Sequence, residues 1–276
     1  MTTRQLQALV MGSVLVVAPV VLLPYVEVAG VNRGQLNFYS PAEERRLGAE
    51  EARRLEARAR IITIPQVQAY LDQLGKRIAS VTESPHIEYG FHVLNTKAVN
   101  AFALPGGFVY VTRGLMLAAR DEGEFASVLA HEIGHVVARH GTGRLSRNQL
   151  IAFLTSMGGS LLVGDLASPI MGLVTNLEGL SYSRGDETTA DDLATAYLYQ
   201  AGFDPAAMAE FFDVMWRSRN EPHLARFLLT HPPSLDRAAR VRWRISGWPL
   251  DDRWVRDSAA FHEAQDLLRV SASTTP

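Results

Sequence analysis

The chain has no cysteine. Disulfides and thiol chemistry are therefore excluded, and so is a lipoprotein anchor, which needs a cysteine after an apolar leader; the redox compartment stays open. There is no excess of basic charge either. Lys and Arg total 27 against 29 Asp and Glu, a net charge of −2, so nothing points to nucleic acid, whose binding needs a basic surface. No internal repeat is visible. Histidine is scarce, with 8 in 276 residues, which makes the placement of each one informative.

The longest apolar run is at the start, from Leu6 to Val28, interrupted by Gln7, Ser13, Tyr25 and Glu27 and with Pro19 and Pro24 inside it. It reads as a secretory signal, with small residues at Val28-Ala29-Gly30 for cleavage, or as a single membrane anchor. Export is the reading favoured, and either puts the remainder outside the cytoplasm. Residues 31–276 are long enough for one domain with a full core. A second apolar stretch, Leu150 to Leu180, is broken by Gly158, Gly159 and Asp165. Core helices are its first reading, and a lid or a bilayer-touching surface the second.

The most informative residues are His131-Glu132-Ile133-Gly134-His135. The pattern H-E-x-x-H would arise by chance in such a chain only about once in a hundred tries. Helical spacing puts His131 and His135 on one face, one turn apart, where both can hold one zinc ion. Glu132 beside them can take a proton from a zinc-bound water. The flanks, Phe125 to Ala130 and Val136 to Ala138, are apolar, so the helix is expected to be buried and its polar groups to need partners.

A catalytic zinc usually has three protein ligands. The pattern H-E-x-x-H-x-x-G-x-x-H fails, because the chain has Ala138 and Gly141 where it needs Gly and His. His140 is one residue off and reads as structural, a cation at a helix end before Gly141. A later helix offers Glu187 and Asp191, four apart on one face. Glu187 can bind zinc, and Asp191 can accept the free N–H of a ligating histidine. Ala190 is small enough to let the two helices meet. The plainer reading of Asp186, Glu187, Asp191 and Asp192 is a solvated acidic helix start.

At this point the chain resembles the HtpX-type zinc metallopeptidases, which include the type I CAAX prenyl proteases, a mitochondrial stress peptidase and the periplasmic BepA-like and LoiP-like proteases. The matching segments are Gln35–Ser40, Asn100–Gly107, His131–His135, Ser183–Asp191 and Thr230–Arg237. The resemblance implies one zinc ion per chain on His131, His135 and Glu187, Glu132 as general base, a supporting Asp191, and Arg237 near the site. It implies that His231 can approach the zinc, either restraining activity or stabilising the transition state. It further implies a zincin-like α+β domain, mainly helical, with a small sheet over the active-site helix. Many relatives carry glutamate where this chain has Thr189. The tetratricopeptide domain of some periplasmic relatives is not expected, since the chain ends soon after its last helix, and prenylated substrates are not expected of a chain with one terminal apolar segment.

Along the chain, helices are expected at Pro41–Arg60, Pro65–Ser80, 122–139, 187–201, 205–217 and 257–269, a strand at Ile87–Leu94, and a hairpin from Ala98–Ala103 and Phe108–Thr112 around Leu104-Pro105-Gly106-Gly107. Asn100-Ala101-Phe102 is the candidate edge for holding an extended peptide. The function expected is endopeptidase action on unfolded envelope or membrane-associated proteins, in the periplasm or cell envelope. A latent protease, or a non-proteolytic adaptor binding unfolded chains in the same groove, are the rivals.

Overall fold

The computed structural model describes residues 31–159, 182–222, 230–231, 235–249 and 254–273, apart from 33 and 219. The apolar leader and most of the 150–180 stretch lie outside these residues. Local signals set the helix starts. Helix α1 (Pro41–Glu56) begins with Pro41 behind a capping box between Ser40 and Glu43, which satisfies two orphan N–H groups at once. It stops at Glu56, short of the expected Arg60, where the chain tightens through Arg58 N–H to Leu55 O. Helix α2 (Pro65–Ala79) also opens on proline and buries Val67, Leu71, Leu74 and Ile78.

Four short strands form one mixed sheet in the order β1-β2-β4-β3. β1 (Ile61–Ile62) and β2 (Gly90–Leu94) run antiparallel, β2 and β4 (Phe108–Thr112) parallel, and β3 (Ala101–Leu104) and β4 antiparallel. β2 starts three residues later than expected, because 84–87 is spent on a turn closed by Ile87 N–H to Ser84 O. The β3–β4 turn works because Gly106 and Gly107 take φ of 77° and 99°, a region that glycine alone enters freely. A side chain on Gly106 would also lie 2.6 Å from Arg45 Cα. β3 is one edge of the sheet and β1 the other.

Five helices complete the layer that carries the site: α3 (Arg113–Ala118), α4 (Glu122–Val137), α5 (His140–Gly159), α6 (Arg184–Gln200) and α7 (Ala206–Arg217). Then come α8 (Leu235–Ile245) and α9 (Ala259–Ser273). α5 ends at Gly159, the last described residue before the rest of the 150–180 stretch, and Asp165 lies outside the described residues. Asp121 caps α4 at Glu124 N–H, and every residue of α4 is buried, as its apolar flanks demanded. α4 packs on β3 and on α6. Gly134 permits the second contact: a Cβ there would sit 3.1 Å from Ala190 O, and Ala190 is itself fully buried. Among the described residues no helix is long and apolar enough to cross a membrane.

Candidate metal centre

Helix α4 presents His131, Glu132 and His135, and α6 presents Glu187 and Asp191. The 230–231 segment brings His231 to the same point. Four donor atoms converge: His131 and His135 approach Nε2 to Nε2 at 3.0 Å, and His131 Nε2 lies 3.2 Å from His231 Nδ1. Glu187 Oε1 is 3.0 Å from His231 Nδ1 and 3.4 Å from His135 Nε2. One atom from each residue lies within 4.8 Å of all the others, and all four residues are buried. A tetrahedral ion with ligand bonds near 2.05 Å would separate its donors by about 3.3 Å, which is the spacing found. Ring nitrogens facing one another at this range need a proton or a cation between them. The residues therefore fit a metal ion.

Their surroundings fix their orientation. His131 Nδ1 lies 2.9 Å from Asp191 Oδ1, leaving Nε2 to face the cluster. Arg237 donates to both oxygens of Asp191 at 2.8 and 2.7 Å and stands 2.9 Å from Glu187 Oε2. Burial disfavours the Asp191 charge, but Arg237 outweighs it and holds the carboxyl below its usual range. Burial likewise opposes the Glu187 charge, and His231, His131 and His135 overcome it, so Glu187 is held well down. His131 is pushed up to about 9, its burial outweighed by Asp191 and Glu187, whereas burial drives His135 well down.

Glu132 is fully buried. Neither of its oxygens closes a well-formed hydrogen bond among the described residues, and His231 Nε2 stands 3.4 Å from Oε1. Burial raises its pKa, against the pull of His231 and His131 and of the Ala103 backbone N–H. A buried carboxyl without a firm partner is costly, and costs of this kind concentrate at working sites.

His140 corrects the sequence reading. It is no helix-end cation: it opens α5, is buried, and its Nδ1 meets His135 Nδ1 at 2.8 Å. Burial pushes its pKa down to about 4, so the ring is neutral. The chain turns at Arg139, whose φ is 56°, and Arg139 is held by Glu44 at 2.9 Å. This reversal brings His140 back onto the cluster. Asp186 lies 3.8 Å from His140 Nε2 while also capping α6 through Ser183. Tyr182, not singled out from sequence, stacks on His135 with ring centres 3.8 Å apart.

The candidate edge Asn100-Ala101-Phe102 divides by parity. Thr112 N–H donates to Asn100 O, so Asn100 and Phe102 turn their backbones to β4, while Ala101 and Ala103 turn theirs outward. Ala101 is fully buried, so the half-buried Ala103, beyond the three residues named from sequence, is the part of this edge that can be reached.

A buried helix bearing H-E-x-x-H opposite a glutamate on a second helix is the architecture of a single-metal peptidase. Residues 65–245 match the family model described as Peptidase family M48, and the chain belongs to that family. It is 35% identical over 215 residues to the beta-barrel assembly-enhancing protease of Yersinia pestis, covering 74% of this chain and 44% of that protein. It is 28% identical over 253 residues to the mitochondrial metalloendopeptidase OMA1 of Schizosaccharomyces pombe, covering 90% and 73%. To the metalloprotease LoiP of Escherichia coli strain K12 it is 33% identical over 161 residues, covering 56% and 62%. The resemblance read from the motifs is borne out. The chain spans less than half the length of the beta-barrel assembly-enhancing proteases that it matches.

Proposed function

We propose that this protein is a zinc-dependent endopeptidase acting on unfolded or misfolded proteins of the cell envelope. Residues 1–30 serve as its signal or anchor, and 31–276 as the peptidase domain. The observation that carries the reading is the convergence of His131, His135 and Glu187 donors at tetrahedral spacing beside a fully buried Glu132. His131, His135 and Glu187 would hold the ion, which when bound acidifies a water and polarises the scissile carbonyl. Glu132 takes the water proton and returns it to the leaving amine; its burial-raised pKa suits a group that must carry a proton between two steps. Asp191 fixes the His131 tautomer and Arg237 fixes Asp191. Backbone pairing of an extended substrate at the half-buried Ala103 holds it without demanding a sequence, whereas Ala101 is fully buried.

His231 favours a second element, latency. Its Nδ1 lies 3.2 Å from His131 Nε2 and 3.0 Å from Glu187 Oε1, the position a fourth ligand would take. A catalytic site needs that position open. His231 therefore restrains the resting enzyme and withdraws when substrate arrives.

The test is cleavage of a reduced, unfolded reporter protein by the full chain with zinc and after chelation. Internal cleavage that stops on chelation and returns with zinc supports the reading. Tight binding of the reporter without cleavage, even after His231→Ala, would assign the adaptor role instead.

A further inference from the structure

The two faces of the sheet differ. Ala101 and Ala103 belong to the core shared with α4, while Phe102 and Leu104 pack in a second cluster with Leu55, Leu94 and Tyr110 under α1. On this second face, away from the metal cluster, a cavity of about 240 Å³ opens between the end of α1 and the strands. Leu55, Ala59, Leu94 and Phe102 give it apolar walls, and Asn100 and Arg60 also line it.

Asn100 is the unusual member. It is 2% exposed, and its side-chain Oδ1 is buried with no hydrogen-bond partner. Its backbone, by contrast, is fully used: N–H donates to Thr112 Oγ1 and C=O accepts from Thr112 N–H, both at 3.0 Å. Strand pairing thus does not need the side-chain amide, and a buried orphan amide is costly to keep. A side-chain amide offers N–H donors and an acceptor oxygen side by side, the complement of a peptide group. Pockets for drug-sized ligands run to about 300–1,000 Å³, so this cavity suits something smaller, such as one large side chain. Arg60, exposed and without an ion-pair partner among the described residues, makes the rim unfavourable to a cation.

We propose that this pocket is a substrate anchor, seating one large apolar side chain of the polypeptide while the Asn100 amide pairs with that residue's peptide group. The anchor deepens the endopeptidase reading and rests on it for the identity of the ligand. A chain leaving the pocket at Asn100 runs past the buried Ala101 toward the half-buried Ala103 of β3. Three residues of strand, roughly 10 Å, carry it to Ala103, whose N–H bears on Glu132. The anchored residue therefore lies three or four positions from the cleaved bond, and specificity is set on the sheet face opposite the chemistry.

The experiment uses the full chain carrying Glu132→Gln, loaded with zinc, and fluorescein-labelled decapeptides of Gly and Ser with a single Phe, Asn or Lys. Fluorescence anisotropy should show Phe binding at least tenfold tighter than Asn, and Lys weakest. Asn100→Ala and, separately, Ala59→Trp to fill the pocket should each erase the Phe preference with zinc content unchanged. Asn100→Ala should not lower the Tm, because the amide makes no hydrogen bond among the described residues. Equal binding of the three peptides, or a Phe preference that survives both substitutions, would overturn the anchor. So would an Asn100→Ala protein with a lowered Tm and unaltered binding, which would make the amide structural. In the cleaving enzyme Asn100→Ala should raise KM with kcat kept. An absence of cleavage would count against the endopeptidase reading and leave the binding result standing.

Discussion

Arg237 joins the two carboxylates of α6: it is bidentate to Asp191 at 2.7 and 2.8 Å and 2.9 Å from Glu187. All three groups are buried. Removing the cation leaves two carboxylates uncompensated, and breaking a buried pair in this way costs about 3–5 kcal/mol. Arg237→Leu should lower unfolding stability by that order in urea titrations. Arg237→Lys should recover part of it, since an ammonium cannot reproduce the fork. A loss below about 1 kcal/mol for Arg237→Leu would contradict the role assigned to it.

His140 should matter to the metal without touching it. Its contact with His135 Nδ1 fixes the ring that turns Nε2 to the cluster. Partners of this kind are worth about 10–100-fold in metal affinity. Competition with a chromogenic chelator should show that loss for His140→Phe and a smaller one for His140→Gln. Unchanged affinity in His140→Phe would leave the ring a packing residue.

The same histidine predicts a pH dependence. Burial depresses its folded pKa below the ordinary 6.5. The unfolded chain thus takes up a proton that the folded one refuses. Stability is complete above about pH 6.5 and falls as pH drops toward the folded value, by about 1.4 kcal/mol for each unit of depression. Denaturation of metal-free protein at pH 7 and pH 5 should show the decline, and His140→Gln should lessen it, leaving the part due to the likewise buried His135. An equal decline in both proteins would place its origin elsewhere.

His231 is predicted to restrain turnover. Freeing the fourth position by His231→Ala should raise the cleavage rate of an unfolded reporter several-fold and weaken zinc retention. A rate that falls while zinc stays bound would instead make His231 a transition-state group.

The metal-binding core was legible because helical arithmetic holds inside one uninterrupted helix. His131 with His135, and Glu187 with Asp191, each lie one turn apart, and the small Ala190 marked where the helices meet, against Gly134. The same arithmetic misled at His140. It assumed that α4 continued, whereas the positive φ at Arg139 ends it and folds the chain back. No local signal shows that turn, because Glu44, which holds Arg139, is 95 residues away. Tyr182 was missed for a related reason: its stacking on His135 is a tertiary contact between distant segments. β3 does lie at an end of the sheet, but which of its residues turn away from β4, Ala101 and Ala103, depends on the register with β4, and one step of register exchanges every residue of the strand.

The most direct measurement is zinc content and turnover on the same preparations of wild type, Glu132→Gln and Glu187→Ala. The account predicts one zinc per chain in the first two, cleavage by the first alone, and little zinc in the third. Turnover retained by Glu132→Gln, or a full complement of zinc in Glu187→Ala, would contradict it.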